Sequence, residues 1–156
     1  MIRVNLVAVG RVKEEYFLKG IEEYGKRLKK YCSFSVIEIK ESRLGFESAS
    51  ETENALKEEG EAILRAVRGE YYAFAIEGKM TSSEDLAEII EKNVDRGGEI
   101  NFVIGSSHGL DERVKRGAKG LISLSRATFP HTLFRLIVAE QVYRAFTIIN
   151  GANYHK

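Results

Sequence analysis

The last helix of this chain cannot lie on an ordinary protein surface. Between Pro130, the only proline, and Gly151, the residues Leu133, Phe134, Leu136, Ile137, Val138, Val142, Tyr143, Phe146, Ile148 and Ile149 cover most of a helical circumference. A surface helix needs only one apolar stripe. Proline suits the first helical turn, where its missing N–H would be unpaired anyway, and glycine suits the left-handed C-cap. Such a helix has to be covered on more than one side, by its own domain and by a partner subunit. A short apolar strand (121–124) and a polar loop (125–128) precede it, and an Asn-Tyr-His-Lys tail follows it. The loop and the tail carry the groups that chemistry needs.

The rest of the chain alternates strand and helix. Residues 2–9 (IRVNLVAV) form a β-branched, mostly apolar strand that Gly10 stops. Phe17, Ile21, Tyr24, Leu28 and Tyr31 then recur at helical spacing across 13–30. Residues 33–39 predict a second strand, 40–50 a mobile polar loop, and 51–68 a charged helix with Leu56, Ile63 and Val67 inward. A third strand, 71–76, ends at Glu77-Gly78-Lys79. Ser82 or Ser83 caps a helix to about Asp95, with Glu84 and Asp85 favouring its positive end, and Gly97-Gly98 breaks it. A fourth strand, 100–104, leads through Gly105-Ser106-Ser107-His108-Gly109-Leu110 into a short helix, 111–115, and then the fifth strand. Strands apolar on both faces and alternating with helices predict an α/β fold. A mostly parallel five-stranded sheet carries helices on both faces, in one domain spanning 1–156. Ligands of such sheets bind outside the carboxyl ends of the strands.

At 156 residues the chain buries a core without staples. One cysteine, Cys32, excludes an internal disulfide framework. No apolar run approaches the ~20 residues of a membrane span, and residues 2–9 are too short for a signal peptide. These features predict a soluble, cytoplasmic protein. Net charge is +1, but residues 101–156 hold eight Lys/Arg against three Asp/Glu, while 1–100 hold sixteen against twenty. A basic carboxyl-terminal third is compatible with a local phosphate-contacting face.

Two loops at strand ends are the candidate sites. In the first, two glycines let backbone N–H groups face a ligand, while Ser107 takes the place of the second glycine of a dinucleotide fingerprint. The same five residues formally match G-x-S-x-G, for which Glu140 and His155 could complete a triad. The chain is short for that hydrolase fold, and no oxyanion-loop motif precedes them. In the second loop, Ser125, Arg126, Ala127 and Thr128 can hydrogen-bond the edge of a heterocycle, with Leu124 and Phe129 as apolar walls. His108, His131 and His155 lack metal-ligand spacing, so no metal is expected. Glu140 and Arg144 stand at i,i+4 and predict an ion pair. Arg135 has no local partner and is free for a phosphate or carboxylate. Tyr154, His155 and Lys156 place aromatic, titratable and cationic groups together.

In this order, LVAVG-R-V-K, IEGKMTSSE, VIGSSHGL, LSRATFPHTLFRLIVAEQVYRAF and NYHK closely resemble the SPOUT-class RNA methyltransferases. Within that class the chain is similar to the RlmH (YbeA-like) family of ribosomal large-subunit pseudouridine N3-methyltransferases. The resemblance spans essentially the whole chain, and the FPH-to-YHK block is its most specific part. It implies a C-terminal trefoil knot, a homodimer, S-adenosyl-L-methionine as methyl donor, and methylation at N3 of a pseudouridine in 23S rRNA of the assembled ribosome. It places cofactor contacts at Phe74, Gly105, Leu124, Ser125, Arg126, Ala127, Thr128 and Phe129. Relatives often carry Leu at the Phe74 position and a second Gly at the Ser106 position, changes that keep an apolar wall and a small residue. The methyl acceptor must lose an imide proton, and His131, Arg135, Tyr154 and His155 are the expected catalytic groups. A knotted methyltransferase acting on another RNA and a non-enzymatic nucleotide-binding α/β module are the competing readings.

Overall fold

A computed structural model describes residues 1–95 and 98–156; of the helix break expected at Gly97-Gly98, Gly97 lies outside them. The elements alternate as the pattern requires: β1 (Arg3–Val9), α1 (Glu15–Leu28), β2 (Ser33–Ile39), α2 (Ala49–Ala66), β3 (Tyr71–Met80), α3 (Ser83–Val94), β4 (Glu99–Ile104), α4 (Glu112–Gly117), β5 (Gly120–Ser123) and α5 (His131–Ile149). The strands pair in the order β2-β1-β4-β3-β5, and every pairing is parallel.

Period-two alternation sorts each strand between two cores. Val4, Leu6 and Ala8 of β1, with Ile100, Phe102 and Ile104 of β4, pack under α1, α3 and α5. Val7, Val9, Val103, Tyr71 and Ala73 face the other way, against Ile63 of α2 and Val114 of α4. The inward stripe of α2 differs from expectation. Ala55, Glu59, Gly60 and Ile63 are buried, while Leu56 and Val67 are only half-buried. The helix also starts earlier than residue 51, because the Ser48 hydroxyl accepts the Glu51 amide and caps it. Ser82 caps α3 in a reciprocal box with Asp85.

The third strand does not end at Ile76. Ile122 of β5 pairs with Phe74 and again with Lys79, so residues 75–78 bulge out and the strand resumes to Met80. A side chain on Gly78 would sit 2.8 Å from backbone atoms of Leu121 and Ile122. The β5 backbone therefore passes directly against this bulge, and the amide of Thr81 closes it by donating to the Ser123 carbonyl at 2.9 Å.

Along α5, Val138, Ala139, Val142, Ala145 and Phe146 are buried, whereas Leu133, Leu136, Ile137, Ile148 and Ile149 are half-buried. The helix ends where Gly151 takes φ +65°. The Gly151 amide donates to the Ile148 carbonyl at 3.2 Å and the Ala152 amide to the Thr147 carbonyl at 2.9 Å, the paired bonds of a Schellman turn. That turn sends the tail back along the helix.

Candidate functional site

The strand order sets the carboxyl ends of β4, β3 and β5 side by side, and a cleft of about 740 Å³ opens there. One wall runs from Phe74 to Glu77, a second follows the loop after β4, and a third runs from Ser123 to His131 with Phe134 beneath. Phe134 meets Phe74 edge-on at 5.4 Å and stacks on Phe129 at 6.5 Å, giving an apolar floor. Of the residues expected to hold a ligand, Phe74, Gly105, Leu124, Ser125, Ala127, Thr128 and Phe129 line this cleft. Arg126 does not: its side chain is exposed, so only its backbone belongs to the loop.

Residues 125–129 make no backbone–backbone hydrogen bond. The Ala127 amide is taken by the Ser125 hydroxyl at 2.9 Å, and the Ser123 hydroxyl holds the Ser125 carbonyl at 3.0 Å. The loop is thus shaped by its own serines while other peptide groups stay open to a ligand. The loop after β4 closes differently. The Gly109 amide donates to the Ser106 carbonyl at 2.9 Å, and a side chain at residue 105 would lie 2.4 Å from the Gly109 oxygen. Glycine at 105 is therefore required by the loop's contact with itself, whatever a ligand in the cleft also needs there.

Behind this loop lies a carboxylate that sequence reading missed. Glu59 is buried, and one of its oxygens accepts the Ser42 amide at 2.9 Å. Burial is the largest influence on it and raises its pKa above the ordinary glutamate value, against the lowering effects of the Ser42 amide, the Ser106 hydroxyl and His108. The same segment carries Phe46, whose ring stacks on His108 at 3.8 Å. An acid with a raised folded pKa contributes stability below its unfolded pKa of about 4.3, and that contribution is lost as pH rises through the folded value. Glu59→Gln should therefore raise Tm at pH 8, with the Ser42 bond kept, and the gain should vanish below about pH 4. Melting curves of both proteins across that range check this; an equal gain at every pH would contradict it.

Of the four expected catalytic groups, His131 lines the cleft. Arg135 does not, and this corrects the expectation that it is free. Only 2% of its side chain is exposed, and its Nη1 pairs with Glu38 at 2.7 Å. Its Nη2 donates to the carbonyls of Gly10 at 3.0 Å and Val9 at 3.4 Å. Arg135 thus ties α5 to the ends of β1 and β2. Glu140 and Arg144 form the expected pair, at 2.6 Å.

The tail docks on that pair. The Tyr154 hydroxyl donates to Glu140 at 3.2 Å, its ring meets Tyr143 edge-on at 4.8 Å, and the Arg144 guanidinium lies 4.9 Å from its centroid. His155 bonds Glu84 at 2.6 Å through Nε2 and Arg144 at 3.2 Å through Nδ1. Burial, then Tyr24 and the Glu140 charge, push the Tyr154 pKa up, so near neutral pH the phenol is a donor and not a base. Within one chain this cluster is separate from the cleft. Residue 140 lies nine positions beyond His131, about 13 Å along a helix, and no tail residue lines the cleft. Among the described residues no His, Cys, Asp and Glu cluster could hold a metal, and no helix is long and apolar enough to cross a membrane.

A cleft at strand ends, walled by a glycine loop and an open-backbone loop, fits the family described as "Predicted SPOUT methyltransferase", which matches residues 2–155. The chain belongs to the SPOUT methyltransferases. Among curated SPOUT relatives, one from Caldicellulosiruptor saccharolyticus is 46% identical over 155 residues, covering 98% of this chain and 99% of that protein. Another, from Limosilactobacillus reuteri, is 45% identical over 159 residues, covering 99% and 100%. Bacillus pumilus has one at 42% with the same coverage. All three are named "Ribosomal RNA large subunit methyltransferase H". The fold is shared with a crystal structure described as a methylase family protein, from Neisseria gonorrhoeae. Its TM-score is 0.54 at 12% identity, covering 99% of this chain and 85% of that one. A Bordetella pertussis structure described as a methyltransferase has a TM-score of 0.51 at 11% identity, with 93% of both chains covered.

Proposed function

We propose that this chain methylates large-subunit ribosomal RNA with S-adenosylmethionine as donor, at N3 of a pseudouridine in the assembled ribosome. The observation that carries the proposal is the cleft at the carboxyl ends of β3, β4 and β5, in a chain similar over its full length to proteins named as large-subunit ribosomal RNA methyltransferases. The residues present fit the donor. Open peptide groups at 125–129 suit the edge of adenine, and Phe74, Leu124 and Phe129 suit its faces. The bound donor supplies a methyl group on a sulfonium, so transfer asks the protein chiefly for alignment. His131, on the wall of the cleft, is placed to hold or accept a proton at the edge of a target base.

Tyr154 and His155 belong to this reading through a second copy of the chain. A homodimer that covers the half-buried face of α5 would bring one subunit's tail toward its partner's cleft. The family match supports a C-terminal trefoil knot, against the usual rarity of threaded chains. One continuous sheet supports a single domain from 1 to 156, and the substrate implies the cytoplasm.

The test is methyl transfer from labelled donor to intact ribosomes, isolated subunits, free rRNA and tRNA from a strain lacking the activity. Label mapping to one pseudouridine of the large subunit in ribosomes is the expected result. Label on another RNA alone would favour a different knotted enzyme, and donor binding with no labelled RNA would favour a binding module.

A further inference from the structure

The cleft holds one ion pair that neither the family match nor the sequence reading explains. Among the residues lining it, the Lys/Arg and Asp/Glu side chains are Lys115 and Glu77. Lys115 stands on α4, held in place by the fully buried Val114 beside it. Its Nζ lies 2.7 Å from Glu77 on the β3 bulge and 3.5 Å from Glu112. Both groups are firmly ionised. The Glu77 hydrogen bond raises the lysine pKa, and the Lys115 hydrogen bond lowers that of the glutamate.

A pair serving only to hold α4 to β3 would do as well on open surface, where such pairs contribute about 0–1 kcal/mol. Here the Lys115 side chain is only 20% exposed and that of Glu77 52%, and both line the space a ligand must fill. A ligand closing that space strips water from both charges. The cost is recovered only if the ligand brings matching charges of its own. Adenine and ribose have none to offer, but the amino-acid end of S-adenosylmethionine is a zwitterion, with a carboxylate and an ammonium on one carbon. A zwitterion laid on an ion pair leaves no net buried charge.

On the reading of the cleft as a methyl-donor site, we infer that Lys115 and Glu77 form the subsite for the donor's methionyl end. The lysine donates to the α-carboxylate and the glutamate accepts from the α-ammonium. Both are binding and orienting residues: anchoring the chain's amino-acid end fixes where the sulfur, and so the methyl group, points.

Calorimetry on the intact protein tests this with two unreactive probes. S-adenosylhomocysteine has the amino-acid end; 5′-methylthioadenosine keeps adenine, ribose and a thioether but lacks it. Lys115→Met retains the stem and removes the charge. It should weaken S-adenosylhomocysteine ~10- to 100-fold, the scale of a hydrogen bond to a charged group, and change methylthioadenosine by no more than about twofold. Glu77→Gln should show the same selectivity with a smaller loss. Retained methylthioadenosine binding also reports that the cleft is folded. Equal losses for both probes would mean that the pair only braces the wall, and unchanged S-adenosylhomocysteine affinity would mean that it touches nothing; either overturns the inference. If the unaltered protein bound neither probe, the methyl-donor reading itself would fall, and this subsite with it.

Discussion

Gly105→Ala is expected to weaken donor binding ~10- to 100-fold in a chain that still folds. The added carbon would stand 2.4 Å from the Gly109 oxygen, 2.7 Å from its carbonyl carbon and 2.9 Å from Leu110 Cγ. Two of those atoms are backbone, in a turn already closed by the Gly109–Ser106 hydrogen bond, and Leu110 is fixed in the lower core. Nothing nearby can rotate aside, so the turn has to open into the cleft that it lines. Overpacking of this kind costs ~1–3 kcal/mol, readable as a shift in the denaturation midpoint. Displacing the loop by about an ångström spoils the hydrogen bonds that its peptide groups offer a ligand, so S-adenosylhomocysteine should weaken ~10- to 100-fold. Gly69→Ala is the matched control. Its φ of +84° makes a side chain strained, but it has open space around it and does not line the cleft. It should lose ~1–2 kcal/mol and keep the affinity of the unaltered protein. A folded Gly105→Ala protein that binds as tightly as that control would show that the loop does not shape the donor site.

What could be read from the sequence, and what could not, divides by the range of the interactions. Val4, Leu6 and Ala8 against Val7 and Val9 announce a strand buried on both faces, because period two is a local property. The two cleft loops were legible for the same reason, as punctuation at the ends of such strands. Arg135 was misplaced because its partners, Glu38, Val9 and Gly10, are 97 to 126 residues away. No inspection of its own helix could reveal them. Glu77-Gly78-Lys79 reads as a turn, and it is a bulge only because β5, some forty residues on, comes to lie against it. Lys115 looks like one more cation on a short polar helix until Glu77 is brought beside it. Glu59 is different, since a signal existed. It stands at i±4 from Ala55 and Ile63, on the stripe that the helix buries, and a glutamate there was worth an explanation.

Deleting residues 153–156 should leave the fold and donor binding nearly intact while lowering methyl transfer by at least ~100-fold, the usual lower scale for losing a positioned catalytic or electrostatic group. None of the tail residues lines the cleft in its own chain. The Glu140–Arg144 pair that it rests on closes within α5 and does not need it. What the deletion removes is a phenol kept protonated beside Glu140, an imidazole held between Glu84 and Arg144, and the last cation of the chain. These are groups able to donate to a phosphate or to a developing oxyanion, and the tail's bonds spend several of them on holding it in one place. A frayed end would not be anchored by Tyr143, Arg144, Glu140 and Glu84 together. If the partner's cleft is where they act, mixing matters. Heterodimers of a tail-deleted chain and a cleft-defective Gly105→Ala chain should have one intact composite site, formed by the intact cleft and the intact tail on opposite subunits. They should recover up to about half the activity of the unaltered dimer on the positioning logic of a two-fold assembly. A tail that serves its own subunit's cleft gives no recovery, because each chain then lacks one half of its own site. A truncated protein that methylates at the full rate would show instead that the docked tail only shields α5.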